Sequence, residues 1–99
     1  MTDSVALEDV LLYALGDFQS RGKVLADREL ALDRLRGAFL RACSKFGLEE
    51  FSDEQIVEGL RKLDIQVTEL PSFVAKHPYR LTVRWETASA SVLHFRAVR

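Results

Sequence analysis

The hexapeptide FSDEQI at residues 51–56 constrains this chain more than any other stretch. Ser52 followed three residues later by Gln55 forms a capping box, in which the hydroxyl takes the Gln55 N–H and the amide reaches back to the Ser52 N–H. Phe51 and Ile56 stand at the positions of a hydrophobic staple, and Asp53 and Glu54 suit the positive end of a helix dipole. Ile56, Val57, Leu60 and Leu63 recur at helical spacing, and the period changes to two from Ile65 to Glu69, which reads as a strand. A helix handing over directly to a strand within 99 residues predicts one α+β domain, 1–99.

Two further helices are expected upstream. Leu7, Val10, Leu11, Ala14, Leu15 and Phe18 place the first from about Ser4, with Asp3 or Ser4 as cap, to Ser20. Lys23 to Ala26 then makes a very short strand, and Asp27 caps a second helix over about 28–46. Its Leu32, Leu35, Phe39, Ala42 and Phe46 form a narrow seam. Gly47 supplies a left-handed C-cap. Gly37, inside the second helix, costs up to about 1 kcal/mol relative to Ala and reads as the mark of a close helix crossing.

Both prolines, Pro71 and Pro78, fall in one connection, where Phe73 and Val74 tuck against the core. Beyond it the segments YRLTVRWE and SVLHFRAVR alternate and read as a terminal antiparallel hairpin. Tyr79, Leu81, Val83 and Trp85 match one face to Leu93, Phe95 and Ala97. Val83 then opposes Leu93, Leu81 opposes Phe95, and Thr87-Ala88-Ser89 is left as the tip. Three helices followed by a small sheet with a C-terminal hairpin resemble a winged helix in element order. The long second helix and the long connection from Gly47 to Ser52 depart from that pattern.

Charge is divided along the chain. Residues 1–70 carry nine Lys/Arg against fourteen Asp/Glu, whereas residues 71–99 carry five against one. In the expected register Arg80, Thr82, Arg84, His94, Arg96 and Val98 share the hairpin's outer face, with Arg80 opposite Arg96 and with Lys76 and Arg99 extending the patch. Opposed like charges are destabilising, so an anionic cover is expected, from the domain's own acids or from a partner. The third helix itself is a poor reader of DNA. Glu49, Glu50, Asp53, Glu54 and Glu58 would meet phosphates where base contacts are made.

Catalytic chemistry finds no constellation. His77 and His94 are the only histidines, Cys43 the only cysteine, and no metal-ligand spacing, phosphate loop or nucleophile elbow occurs. The chain is accordingly read as non-enzymatic, with no catalytic residue, no cofactor and no metal. No apolar run spans a bilayer, and the start MTDS lacks the basic stretch of a signal peptide, which points to the cytoplasm. The expectation is a small protein–protein interaction module, adaptor or regulatory, with homodimerisation through the terminal edge strand as one form. It binds through Lys76, Arg80, Arg84, His94 and Arg96 of the hairpin, with the acidic third helix as a second candidate surface. The alternative is a winged-helix-like nucleic-acid-binding domain contacting phosphates through the same hairpin, a partner class less favoured by the slightly acidic net charge of -1.

Overall fold

The capping box forms as expected. In the computed structural model, which describes residues 6–71 and 78–98, Ser52 Oγ accepts the Gln55 N–H at 3.1 Å and Gln55 Oε1 accepts the Ser52 N–H at 2.9 Å. The helix it starts runs over Asp53–Lys62. Asp64, with φ of 61°, turns the chain out of this helix, and Ile65 N–H closes the corner on Leu60 O at 3.1 Å. A strand over Gln66–Glu69 follows at once.

Four helices and three strands are described: α1 (Leu7–Ser20), β1 (Glu29–Ala31), α2 (Arg36–Lys45), α3 (Asp53–Lys62), β2 (Gln66–Glu69), β3 (Tyr79–Thr82) and α4 (Trp85–Val98), with one turn of 3-10 helix, Leu32–Leu35, leading into α2. The α+β class holds. The sheet is antiparallel in the order β1-β3-β2. Leu30, Leu81 and Val67 pair across its inner face, while Ala31, Arg80 and Thr68 pair across the other. The expected caps Asp3 and Ser4, and Phe73, Val74, Lys76, His77 and Arg99, lie outside the described residues.

Several expectations are overturned, and of the short strand expected over 23–26 only a bridge at Ala26 forms. Asp27 does not cap a helix; it sits at φ 58°, and its N–H bonds Val83 O at 2.7 Å while Ala26 bridges Val83. The chain therefore enters β1, not a helix, and α2 begins only at Arg36. Leu30 in β1 and Leu32 at the start of the 3-10 turn are both buried, and the helical seam holds from Leu35 onward.

The terminal hairpin does not exist, because residues 85–98 form α4. No Gly, Pro, Asn or Asp follows Pro78, so the supposed tip Thr87-Ala88-Ser89 has only the weaker turn residue Ser89 and none that readily takes a left-handed conformation. Ala88, Ser91, Phe95 and Val98 also recur at i, i+3, i+7 and i+10, and these are the residues α4 turns toward α1. Leu81 and Val83 are buried as expected, but Trp85, now the first residue of a helix, is 58% exposed.

α1 is the spine of the core, with α2, α3 and α4 all packed on it. Helices cross closely at Gly16, where an added Cβ would overlap Ser91 O and Phe95 Cβ. Gly37, expected to mark the crossing, is solvent-exposed. Gln19 Nε2 donates to Ala88 O at 3.0 Å and to Ser91 Oγ at 2.8 Å, pinning α4 further. Tyr13 packs against Phe95 with the rings tilted by 50° and their centroids 4.9 Å apart. Asp17, 6% exposed, accepts Arg41 Nε at 2.7 Å and ties α1 to α2. Arg36 joins Asp33 at 3.3 Å to Asp53 at 2.9 Å, clamping the starts of α2 and α3.

Candidate functional site

The basic residues expected on one hairpin face are dispersed. Arg80 is half-buried at the centre of the sheet, between Ala31 and Thr68, and its Nη1 lies 3.4 Å from Tyr79 O. Arg84, exposed between β3 and α4, lines a concavity of about 370 Å³ with Asp64, Ile65, Gln66 and Thr82. His94 and Arg96 belong to α4. Among the described residues the buried His94 Nε2 has no hydrogen-bond partner, and Arg96 lines a groove of about 550 Å³ with Lys23, Gln19 and Phe95. Arg80 and Arg96 thus stand on different elements, and the premise of a shared anion-binding face fails. The expected edge strand for dimerisation is likewise absent, since its residues are helical.

A different surface gathers chemistry. The outer side of α3 and the start of β3 enclose a groove of about 430 Å³ lined by Glu54, Val57, Glu58, Arg61, Lys62 and Tyr79. The local folding that builds it begins with the capping box. That box starts α3 at Asp53, so that Glu54, Glu58 and Arg61 succeed one another along one side at steps of four and three. Val57 is 5% exposed and anchors the helix in the core. Arg61 Nη2 donates to Val67 O at 3.3 Å and so holds the end of α3 against β2. Antiparallel pairing then sets Tyr79 opposite Glu69, beside α3.

The electrostatics of the groove are one-sided at its aromatic end. Desolvation of the Tyr79 phenol raises its pKa first, and the carboxylates of Glu69, Glu54 and Asp53 raise it further, against a smaller opposing effect of Arg61. The field over the phenol is therefore net negative. Arg61 and Lys62 make the other end of α3 positive, so the groove is dipolar along the helix. An aromatic face near carboxylates is chemically suited to an ammonium or guanidinium group.

Sequence reasoning read Asp53 and Glu54 as complement to the helix dipole and Tyr79 as part of a terminal hairpin. The signal that joins them was available: Ile65–Glu69 and Tyr79–Val83 are the two alternating segments that pair, across the connection holding both prolines.

Among the described residues no group of three or more His, Cys, Asp or Glu side chains is placed to hold a metal ion, and no helix is long and apolar enough to cross a membrane. Cys43 is buried on α2. Comparison with family models, curated proteins and solved structures returns no match.

Proposed function

We propose that this chain is a protein–protein interaction module of winged-helix-like architecture, whose groove between α3 and β3 receives a basic segment of a partner protein. The element order helix, strand, two helices and two strands, with sheet order β1-β3-β2, supports the architectural reading. The observation that carries the functional one is the groove itself, with Glu54 and Glu58 beside Tyr79 over Val57. In this reading a Lys or Arg of the partner lies against the phenol ring between the two carboxylates. Arg61 and Lys62 favour an acidic residue further along the partner segment, which gives binding a direction.

The acidic start of α3 also disfavours nucleic acid on this side, because Asp53, Glu54 and Glu58 repel phosphates. The test is titration calorimetry at low and moderate salt with a basic, a neutral and an acidic decapeptide and with a short DNA duplex. The basic peptide is expected to bind, more weakly at higher salt, and the Glu54→Lys/Glu58→Lys double variant to lose at least about tenfold in affinity. Tighter binding of the acidic peptide or of duplex overturns the proposal, as does a basic peptide that fails to bind.

A further inference from the structure

We infer that the partner segment binds as an added β-strand. It pairs its backbone with the outer edge of β2 and turns every second side chain, a Lys or Arg, toward the acids of α3. This rests on the reading of the α3–β3 groove as the site of a basic segment, and adds the conformation and residue spacing that the segment must have.

β2 is an edge of the sheet, since the strand order is β1-β3-β2. Its backbone groups divide by residue. Leu70 N–H donates to Pro78 O at 2.7 Å in continuation of the β2–β3 register, so Gln66, Thr68 and Leu70 turn their N–H and C=O toward β3. Val67 and Glu69, between them, turn theirs to the open side. Arg61 shows the direction, because its Nη2 reaches Val67 O at 3.3 Å on the side away from β3. Among the described residues the Val67 N–H and both backbone groups of Glu69 have no hydrogen-bond partner.

Unpaired edge groups are a template for a further strand, and natural edges are commonly blocked by proline, lysine or a bulge. β2 reads Gln-Val-Thr-Glu, with neither proline nor lysine, and its register with β3 is unbroken. Its one guard is the Arg61 side chain, an exposed donor that the N–H of an incoming strand can replace. Gln66, Thr68 and Glu69 are themselves exposed.

Side chains alternate between the faces of a strand. Val67, Glu69, Tyr79 and Leu81 share one face, and Tyr79 meets α3 across the groove on that side. A strand laid along β2 sends alternate side chains to the same face, where Glu54, Glu58 and Glu69 stand near Tyr79. Those carboxylates select Lys or Arg at every second position, and the residues between point away from α3. The edge thus supplies hold without regard to sequence, and the acids supply the choice.

The test is titration calorimetry of the full chain with an alternating Lys-Thr decapeptide in three forms: unmodified, N-methylated at the lysines, and N-methylated at the threonines. Methylation removes the N–H donor and leaves charge and side chains in place. Only every second N–H of a paired strand faces its neighbour. One methylated form is therefore expected to lose at least about tenfold in affinity, and the other to bind within about threefold of the unmodified peptide. Glu69→Pro removes an outward donor and leaves the ladder to β3 intact, so it is expected to weaken binding at least about tenfold more than Glu69→Gln, which removes only charge. Far-UV circular dichroism checks that both variants fold. Equal effects of the two methylations, or none, overturn the inference and leave the basic-segment reading standing, as does Glu69→Pro no weaker than a folded Glu69→Gln. An unmodified peptide that fails to bind overturns both readings. Sedimentation velocity of the chain without peptide is expected to give 11.2 kDa. A dimer that the peptide does not dissociate means that a second copy holds the edge, and overturns the inference.

Discussion

Replacing Gly16 by alanine sets two physical effects of opposite sign against each other. Gly16 lies in the interior of α1, where alanine is preferred by about 0.8–1.0 kcal/mol on helix propensity alone. The added Cβ, however, would overlap the Ser91 carbonyl oxygen and the Phe95 Cβ of α4. Neither is the tip of a flexible side chain, so α4 itself must move away. Overpacking a well-filled contact costs about 1–3 kcal/mol, and separating α4 also strains the Gln19 hydrogen bonds to Ala88 and Ser91. The overlap should win, leaving a net loss of about 1–2 kcal/mol. For a domain of this size that is a fall in Tm on the order of 5–15 °C. Urea denaturation followed by far-UV circular dichroism measures it. Gly37→Ala is the control, since a Cβ there meets only Arg41 Nη1 at 3.3 Å on an exposed helix start, and it should stabilise by about 0.5 kcal/mol. A Gly16→Ala chain as stable as wild type would refute the close crossing of α1 and α4.

Ser52→Ala removes the side-chain acceptor of the capping box and should cost about 1 kcal/mol in the same assay, with Gln55→Ala losing less. Arg41→Met leaves the Asp17 carboxylate buried with only the longer Arg21 contact at 3.5 Å, and should destabilise by about 2 kcal/mol. Asp17→Asn/Arg41→Met should recover part of that loss, and urea denaturation of the two variants decides it. Tyr79 should ionise above the usual value near 10, which ultraviolet titration of a Tyr13→Phe chain isolates, and Glu54→Gln should lower that midpoint. Because the folded pKa is raised, the stability Tyr79 contributes is complete below the unfolded pKa and is lost as pH rises through the folded one.

Local signals with a complete stereochemical rationale were readable in advance. The box at Ser52 and Gln55 started α3 where it was expected, and the recurrence from Leu7 to Phe18 located α1. What escaped was decided by contacts distant in sequence. Arg28 to Leu35 carries apolar residues that satisfy either period, and only pairing with β3 draws Glu29–Ala31 into the sheet. Leu93, Phe95 and Ala97 alternate, and so imitate a strand, while the strip through Ala88 and Ser91 that packs on α1 is made of residues too small to stand out in a hydrophobic pattern. Small residues packed closely are as informative as large ones, but they are legible only once the surface they approach is known. Gly16 shows the same thing: its neighbours lie in α4, and nothing near it in the chain distinguishes it from Gly37. The basic cluster was inferred from the mistaken register, so it dispersed with it. The acids of α3 and Tyr79 were each visible, but their meeting depends on β2 and β3 pairing across the prolines.

The union of α1 with α4 bears on how the polypeptide acquires its shape during synthesis. Gln19 and Ser91 are 72 positions apart, and a ribosome delivers α4 after every other element described. Until then the flank of α1 around Gly16 and Gln19 has no cover, and a nascent intermediate with strands already paired presents a bare apolar surface to chaperones or to neighbouring chains. Closure of the long loop between these helices should therefore be a late, slow step in refolding from denaturant.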